Sequence, residues 1–330
     1  MKQLLNRLFA YQTLSRQEAH AVLLEIGNGA FNPSQIAAFL TVYNLRNITL
    51  DELQGFRDAM LELCLSIDLS DFAPVDLCGT GGDGKNTFNV STLASFVVAG
   101  AGEKVAKHGN YGVSSSCGSS NVIEYLGYRF SNDSDTLKKQ LDQAGICFLH
   151  APQFHPAMKH VAPIRRELGI KTFFNMLGPM VNPANPPRQL VGVFSLELAR
   201  IYGYLYQQTD KNFLIVHALD GYDEISLTGP FKLIDQSGEQ FIYPKDWNFR
   251  QIRAQQLHGG TTVPEAAEIF TTVLKGKGTT VQNDVVIANA AAALYAISPE
   301  KGVDNAIIRA KSSLMGGQAL RAFQKLMELA

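Results

Sequence analysis

The chain has 330 residues, with 29 Lys plus Arg against 30 Asp plus Glu for a formal charge of −1, and 46% of its residues are hydrophobic. That length suits one large domain with a smaller companion, and the apolar content argues against disorder. A balanced charge gives no basic excess for unspecific nucleic-acid binding, so an anionic ligand has to be held by local geometry.

Residues 2–10 read as helical. Ser15 with Glu18 three residues on, ahead of Ala19, Val22, Leu23 and Ile26, is a capping-box start to an amphipathic helix that Gly27 and Gly29 can end. Asn32, Pro33 and Gln35 open a second such helix, because proline loses nothing at the first helical position. Thr49 with Glu52 opens a third, running to about Leu65. Residues 1–70 therefore form an all-helical N-terminal domain, and the polar stretch 68–74, closed by Pro74, is the hinge candidate.

From residue 71 to 330 short apolar runs alternate with helical patterns, which predicts a large α/β domain on a mainly parallel sheet. Strands are expected at 75–78, 104–107, 190–194 and 213–218, and helices at 93–100, 157–168 and 196–206. The segments 121–126, 135–144 and 146–150 continue the alternation. Extended pieces between 224 and 244 suggest a hairpin insertion around 235–238, and helices resume at 263. Cys64, Cys78, Cys117 and Cys147 stand far apart with no C-x-x-C pair, so they read as reduced thiols. Asn6 and Arg7 interrupt any signal-peptide pattern, and the apolar run 285–297, which contains Asn289, is shorter than the roughly 20 residues of a membrane span. These features predict a cytoplasmic protein.

Gly79-Thr80-Gly81-Gly82-Asp83-Gly84-Lys85-Asn86-Thr87 follows a strand and precedes a helix, where backbone N–H groups and a helix N-terminus make an anion site. As a bare pattern it satisfies G-x-G-x-x-G. Yet residues 85–90 intervene before the apolar helical run, and the acidic residue of a dinucleotide fold is missing where the next strand runs into Lys107 and His108. A Walker A loop fails at Asn86, which stands where Ser or Thr must hold magnesium. A plain tight turn would not need the polar set Asp83, Thr87, Asn89, Ser91 and Thr92.

A second glycine and hydroxyl loop, from Lys107-His108-Gly109-Asn110-Tyr111-Gly112 through Val113, Ser114 and Ser115 to Cys117-Gly118-Ser119-Ser120, follows the next strand. Neighbouring strand ends of a parallel sheet face one ligand cleft. Asp223 and Glu224 follow a further strand; adjacent carboxylates on a loop are usually a solvated turn, but beside phosphate loops they become candidate magnesium ligands. Arg165 and Arg166 are helical neighbours that point to different faces, so one can enter a cleft while the other meets solvent. No H-E-x-x-H, G-x-S-x-G or Cys/His nucleophile pattern is present.

Gly79-Thr80-Gly81-Gly82-Asp83, Asn89-Val90-Ser91-Thr92, Lys107-His108-Gly109-Asn110, Phe174-Asn175-Met176-Leu177-Gly178-Pro179 with Asn182-Pro183, and Asp223-Glu224 together resemble the anthranilate phosphoribosyltransferase family over nearly the whole chain. The resemblance implies transfer of the phosphoribosyl group of phosphoribosyl pyrophosphate to anthranilate on the path to tryptophan. It also implies a small α domain with a large α/β domain, a homodimer, and magnesium, two ions per subunit; the balanced charge and short apolar runs predict no nucleic-acid or membrane partner. Carried over, Gly79, Gly82, Asp83, Thr87, Asn89, Val90, Ser91 and Thr92 line the pyrophosphate and ribose phosphate. Lys107, His108, Gly109, Asn110, Tyr111, Gly112, Val113, Ser114, Ser115 and Ser119 complete that site. Ser91, Asp223 and Glu224 hold the metal, while Gly79, Asn110 and Arg165 contact anthranilate, with Arg165 pairing its carboxylate. No group is assigned as a catalytic acid, base or nucleophile.

The chain departs from the family at Tyr111-Gly112, where Arg often follows Lys-His-Gly-Asn, and at Asn121, where Asp is frequent; at a helix start Asn caps about as well as Asp. A pyrimidine nucleoside phosphorylase of the same fold, or a catalytically silent relative that binds nucleic acid, are the alternatives. Association with an anthranilate synthase is left open.

Overall fold

Each of the three capping boxes starts a helix. Glu18 N–H donates to Ser15 Oγ (3.2 Å) and Ser15 N–H to Glu18 Oε2 (2.9 Å), and the same exchange joins Asn32 to Gln35 and Thr49 to Glu52. Behind Lys2–Phe9 (α1) they begin Arg16–Gly27 (α2), Pro33–Leu45 (α3) and Leu50–Glu62 (α4). Glu52 does more than cap: buried, its carboxylate also accepts the Leu14 N–H (3.0 Å) and pairs with Arg46 (2.5 Å), tying the segments before α2 and after α3 to α4.

The computed structural model describes residues 1–112 and 117–330, so the expected site residues Val113, Ser114 and Ser115 lie outside the described residues. The chain divides into two compact units, Met1–Ser66 with Ala151–Pro183, and Ile67–His150 with Ala184–Ala330. The segment Ala151–Pro183, which sequence periodicity assigns to the α/β domain, instead completes the helical unit. Its Phe173 ring stacks on Phe56 (4.4 Å between centroids) and meets Phe39 and Tyr43 edge-on, so it fills an aromatic core that α3 and α4 leave open. The helix expected over 157–168 is broken into a 3-10 turn, Pro156–His160, and a short helix, Ala162–Leu168. Pro163 sits in the first turn of the latter, where its missing N–H does no harm.

The α/β unit is built on seven strands: Val75–Gly79 (β1), Val105–Gly109 (β2), Ile146–His150 (β3), Arg188–Gly192 (β4), Asn212–Ala218 (β5), Phe231–Asp235 (β6) and Gly238–Ile242 (β7). Their order is β3-β2-β1-β4-β5-β6-β7, with β1 to β5 parallel and the last two antiparallel. The expected hairpin is therefore an extension of the sheet edge. Its turn is held by Asp235 Oδ1, which accepts the Ser237 and Gly238 N–H groups (2.8 and 3.2 Å). The chain runs outward from β1 to β3 and then resumes at β4 on the other side of β1, so β1 and β4 flank the switch point where open α/β sheets bind ligands.

Helix Val90–Gly100 (α5) follows β1 and packs with the long apolar helix Thr280–Ile297 in the main core. It starts three residues before the expected Leu93, because the polar turn Val90-Ser91-Thr92 is already helical. Among the described residues, no helix is long and apolar enough to cross a membrane. All four cysteines are free thiols.

Candidate active site

The first glycine loop gains its shape from three left-handed positions, Gly81, Gly82 and Gly84, with φ between +62° and +75°. An Asx turn, Lys85 N–H to Asp83 Oδ1 (2.9 Å), reverses it. Asn86, whose side chain excluded a Walker A loop, pins this loop to the segment 257–260: its amide donates to the Gly260 carbonyl (2.8 Å), and Thr87 and His258 form an antiparallel bridge. The Phe88 N–H donates to the Leu257 carbonyl (3.1 Å) at the same junction.

Gly79 and Gly192 are register partners at the ends of β1 and β4. Neither has a positive φ; what they share is Asp223. A Cβ on Gly79 would collide with the Asp223 carboxylate, and one on Gly192 with the Asp223 backbone carbonyl. This bare stretch lets the loop after β5 close over the switch point, where the Gly81 N–H donates to Asp223 Oδ2 (2.7 Å). Asn289 fixes the other side of the loop, accepting the Ile225 N–H (3.0 Å) and donating to the Ile225 carbonyl (2.9 Å). A small cavity results, lined by Gly79, Ser91, Gly192, Asp223, Glu224 and Asn289 among others. Ser91, Asp223 and Glu224, the expected metal ligands, thus face one space with Gly79.

The electrostatics of that space are unusual for a closed protein interior. Burial, followed by the Asp83 charge, pushes the Asp223 carboxyl up to about 6. Glu224 is raised well above its ordinary value by burial and then by Asp223 and Asp83, and its buried Oε1 has no hydrogen-bond partner among the described residues. The cation that acts on Glu224 is Lys107, itself buried, whose Nζ donates to the Leu77 carbonyl (2.6 Å) and to Ser91 Oγ (3.3 Å). Burial lowers the Lys107 pKa, against the pull of Cys78, Asp76 and Glu224. Clustered carboxylates with an orphaned oxygen fit a hard divalent cation. Among the described residues no three His, Cys, Asp or Glu side chains form a metal cage; magnesium needs none, being held by one or two carboxylates plus substrate phosphates.

The second loop abuts the first: Asn89 Nδ2 donates to the Cys117 carbonyl (3.2 Å). His108 is held through its backbone, its N–H donating to the buried Asp76 (3.1 Å), which also accepts from Gln189 (3.1 Å). Gly109 leaves room for Ser119, whose Oγ donates to the Asn110 carbonyl (3.2 Å). The two departures from the family are joined to their surroundings. Tyr111 OH donates to Glu124 (3.1 Å) while its ring meets His150 edge-on, and Gly112 N–H donates to Asn121 Oδ1 (2.9 Å). Asn121 is not the helix cap. It lies in the first turn of Ser119–Tyr125 (α6), and its Oδ1 also accepts the Gly118 N–H (3.0 Å), so one oxygen bridges both described ends of the loop.

Arg165 belongs to the helical unit, unlike the other expected site residues. It is partly buried where Arg166 is exposed, its guanidinium lies over the Phe174 ring (5.4 Å to the centroid), and burial pushes its pKa down to about 10. Sequence reasoning misses Gly192, Asn289, Asn121 as a loop bridge, and Asn175, which contacts Arg165. Asn289 had a signal, being a lone amide inside an apolar run.

A family model described as "Glycosyl transferase family, a/b domain" matches residues 72–320, and one described as "Glycosyl transferase family, helical bundle domain" matches residues 2–64. Fold and site thus fall in the glycosyl transferase class. A relative named anthranilate phosphoribosyltransferase from Flavobacterium johnsoniae is 61% identical over 100% of this chain and 99% of its own, and one from Bacteroides fragilis is 50% identical over the same shares. Among solved structures, anthranilate phosphoribosyltransferase from Thermus thermophilus matches with a TM-score of 0.90 at 31% identity, covering 98% of each chain. The Saccharomyces cerevisiae enzyme, in complex with PRPP and Mg, matches at 0.90 and 28% identity, covering 98% of this chain and 96% of its own. The chain belongs to the anthranilate phosphoribosyltransferase family.

Proposed function

We propose that this chain transfers the 5-phosphoribosyl group of phosphoribosyl pyrophosphate to the amine of anthranilate, releasing pyrophosphate, in tryptophan biosynthesis. The observation that carries the reading is the cavity at the switch point, where two facing glycines, Ser91 and the Asp223-Glu224 pair adjoin a loop with three left-handed glycines. The names of the full-length relatives, and the PRPP complex of the yeast enzyme, support the same substrates.

Breaking the C1–O bond of the donor leaves positive charge on the sugar and negative charge on the leaving pyrophosphate. The N–H groups of the first loop and of the α5 N-terminus are fixed beforehand, so they stabilise that anion without reorganising. Ser91, Asp223 and Glu224 would hold magnesium, which when bound neutralises charge on the leaving group. Lys107 sets the Ser91 hydroxyl through its hydrogen bond. Asn89, Thr92 and the second loop hold the ribose phosphate, while Gly79, Asn110 and Arg165 take anthranilate. Because the anthranilate amine is conjugated with its ring and unprotonated at neutral pH, no strong general base is required. The working form in this reading is a cytoplasmic homodimer with two magnesium ions per subunit.

The deciding experiment mixes the protein with anthranilate, phosphoribosyl pyrophosphate and magnesium and follows anthranilate fluorescence. Loss of signal that needs all three additions, and that chelation stops, is expected; a flat trace with folded protein overturns the reading.

A further inference from the structure

Within the helical unit, one oxygen accounts for the posture of Arg165. Asn175 Oδ1 accepts a hydrogen bond from Arg165 Nη2 (3.1 Å) and a second from the Thr172 backbone N–H (3.1 Å). Both partners can only donate, which fixes the amide with its oxygen toward them. The Thr172 bond anchors the Asn175 side chain to its own turn, so the oxygen offered to Arg165 is itself immobilised. Phe174, the preceding residue, supplies the ring over which the guanidinium lies. The helix Phe174–Leu177 therefore presents a plane and an edge to one guanidinium.

The fork is left incomplete. Among the described residues its buried Nε has no hydrogen-bond partner and no carboxylate pairs with Arg165. A neutral amide at 175 is the choice that orients a cation without cancelling its charge; an acid there would orient it equally well and occupy it. Buried guanidinium donors without partners are costly unless a ligand completes them, and a planar carboxylate matches the remaining fork.

We propose that Asn175 is a positioning residue for the acceptor substrate: it holds Arg165 so that the unpaired edge of the guanidinium meets the carboxylate of anthranilate. The inference rests on the reading of Arg165 given above, and its test separates the two. In the full-length enzyme, Asn175→Ala is expected to raise the anthranilate KM about tenfold, the scale of one hydrogen bond to a charged group, leaving kcat and the KM for phosphoribosyl pyrophosphate within about twofold. Asn175→Asp keeps the acceptor oxygen for both Thr172 and Arg165 but adds a competing charge, so it should raise the anthranilate KM further while its melting temperature stays near that of the wild type. A purely structural Asn175 predicts the reverse order, with Asp tolerated and Ala harmful, and that order overturns the proposal. If Asn175→Ala does not fold, the Asp variant alone decides. Arg165→Ala is the control: an unchanged anthranilate KM there removes the underlying reading, whereas a raised KM with both Asn175 variants at wild-type values removes only this inference.

Discussion

The α/β unit and the helical unit each bury ionisable groups that their own side chains leave short of partners, and they do it with opposite signs. In the α/β unit, Asp223 and Glu224 sit against each other and Asp83, placed by backbone clearance: two glycines with no Cβ, a loop N–H, and the Asn289 clamp on Ile225. In the helical unit, Arg165 is placed by side chains, an amide on its edge and a ring on its face. A carboxylate cluster is completed by a cation and tolerates several geometries; a guanidinium is completed by a planar anion and does not. The first arrangement suits a charged donor that arrives with metal, the second an aromatic acid of fixed shape.

The largest effect should come from neutralising the carboxylates. Glu224→Gln and Asp223→Asn keep the volume and remove the charge, so turnover should fall about 10³-fold, the several kcal/mol that a held cation contributes to transition-state charge. Rates measured across a magnesium titration should lose their dependence on the ion. The same Glu224→Gln chain, free of ligands, should melt no lower than the wild type, because it removes a buried charge near two others. A fall in both activity and melting temperature would mean that Glu224 serves the fold.

On the helical side, Arg165→Ala should raise the anthranilate KM about 10²-fold, as expected when one partner of a desolvated charge pair is lost, with kcat much less affected. Initial rates at varied anthranilate and saturating donor measure this directly. An equal effect on the KM for phosphoribosyl pyrophosphate would erase the division of labour between the two units.

Gly192→Ala asks whether backbone clearance is what places the carboxylates. The new Cβ would have to displace the Asp223 carbonyl, so activity should drop about tenfold with a modest loss of stability, within the roughly 1–3 kcal/mol of an overpacked position. Recovery of activity at high magnesium would show that the ligands had shifted and not been lost. Wild-type kinetics would show that the loop after β5 moves aside freely.

What could be read from the sequence divides along the same line. The capping boxes at Ser15, Asn32 and Thr49 join residues three apart, so they were visible, as were the strand ends and the glycine loop. The membership of residues 151–183 was not, because it depends on Phe173 meeting Phe39 and Phe56 across more than a hundred residues of chain. Gly192 looked like any residue in an apolar strand, since its need for a bare Cα comes from Asp223, distant in sequence. Position alone makes Asn121 a helix cap, whereas its partners are two backbone N–H groups on either side of a loop. The break in the helix expected over 157–168 is different in kind, because Pro163 in the first turn of Ala162–Leu168 is a local signal that apolar periodicity does not register.

The smallest effect on catalysis should come from His155, a buried group in the helical unit that, unlike Arg165, has no expected contact with a substrate. Its Nε2 lies 3.0 Å from the Val181 carbonyl, and a carbonyl only accepts, so Nε2 carries the proton of a neutral ring. Burial pushes its pKa down to about 4, outweighing that hydrogen bond, which favours the charged form. A depressed histidine pKa means that the unfolded chain binds the extra proton first. Its contribution to stability is therefore complete above the unfolded value near 6.5 and is lost as pH falls toward 4. At pH 5 the loss should be about 2 kcal/mol, with no change at neutral pH, where turnover is measured. Denaturant melts at pH 7 and pH 5 on wild type and His155→Gln provide the check. The variant can keep a donor for Val181 but cannot titrate, so its stability should fall less between the two pH values. Parallel losses in both chains would assign the acid sensitivity to other groups.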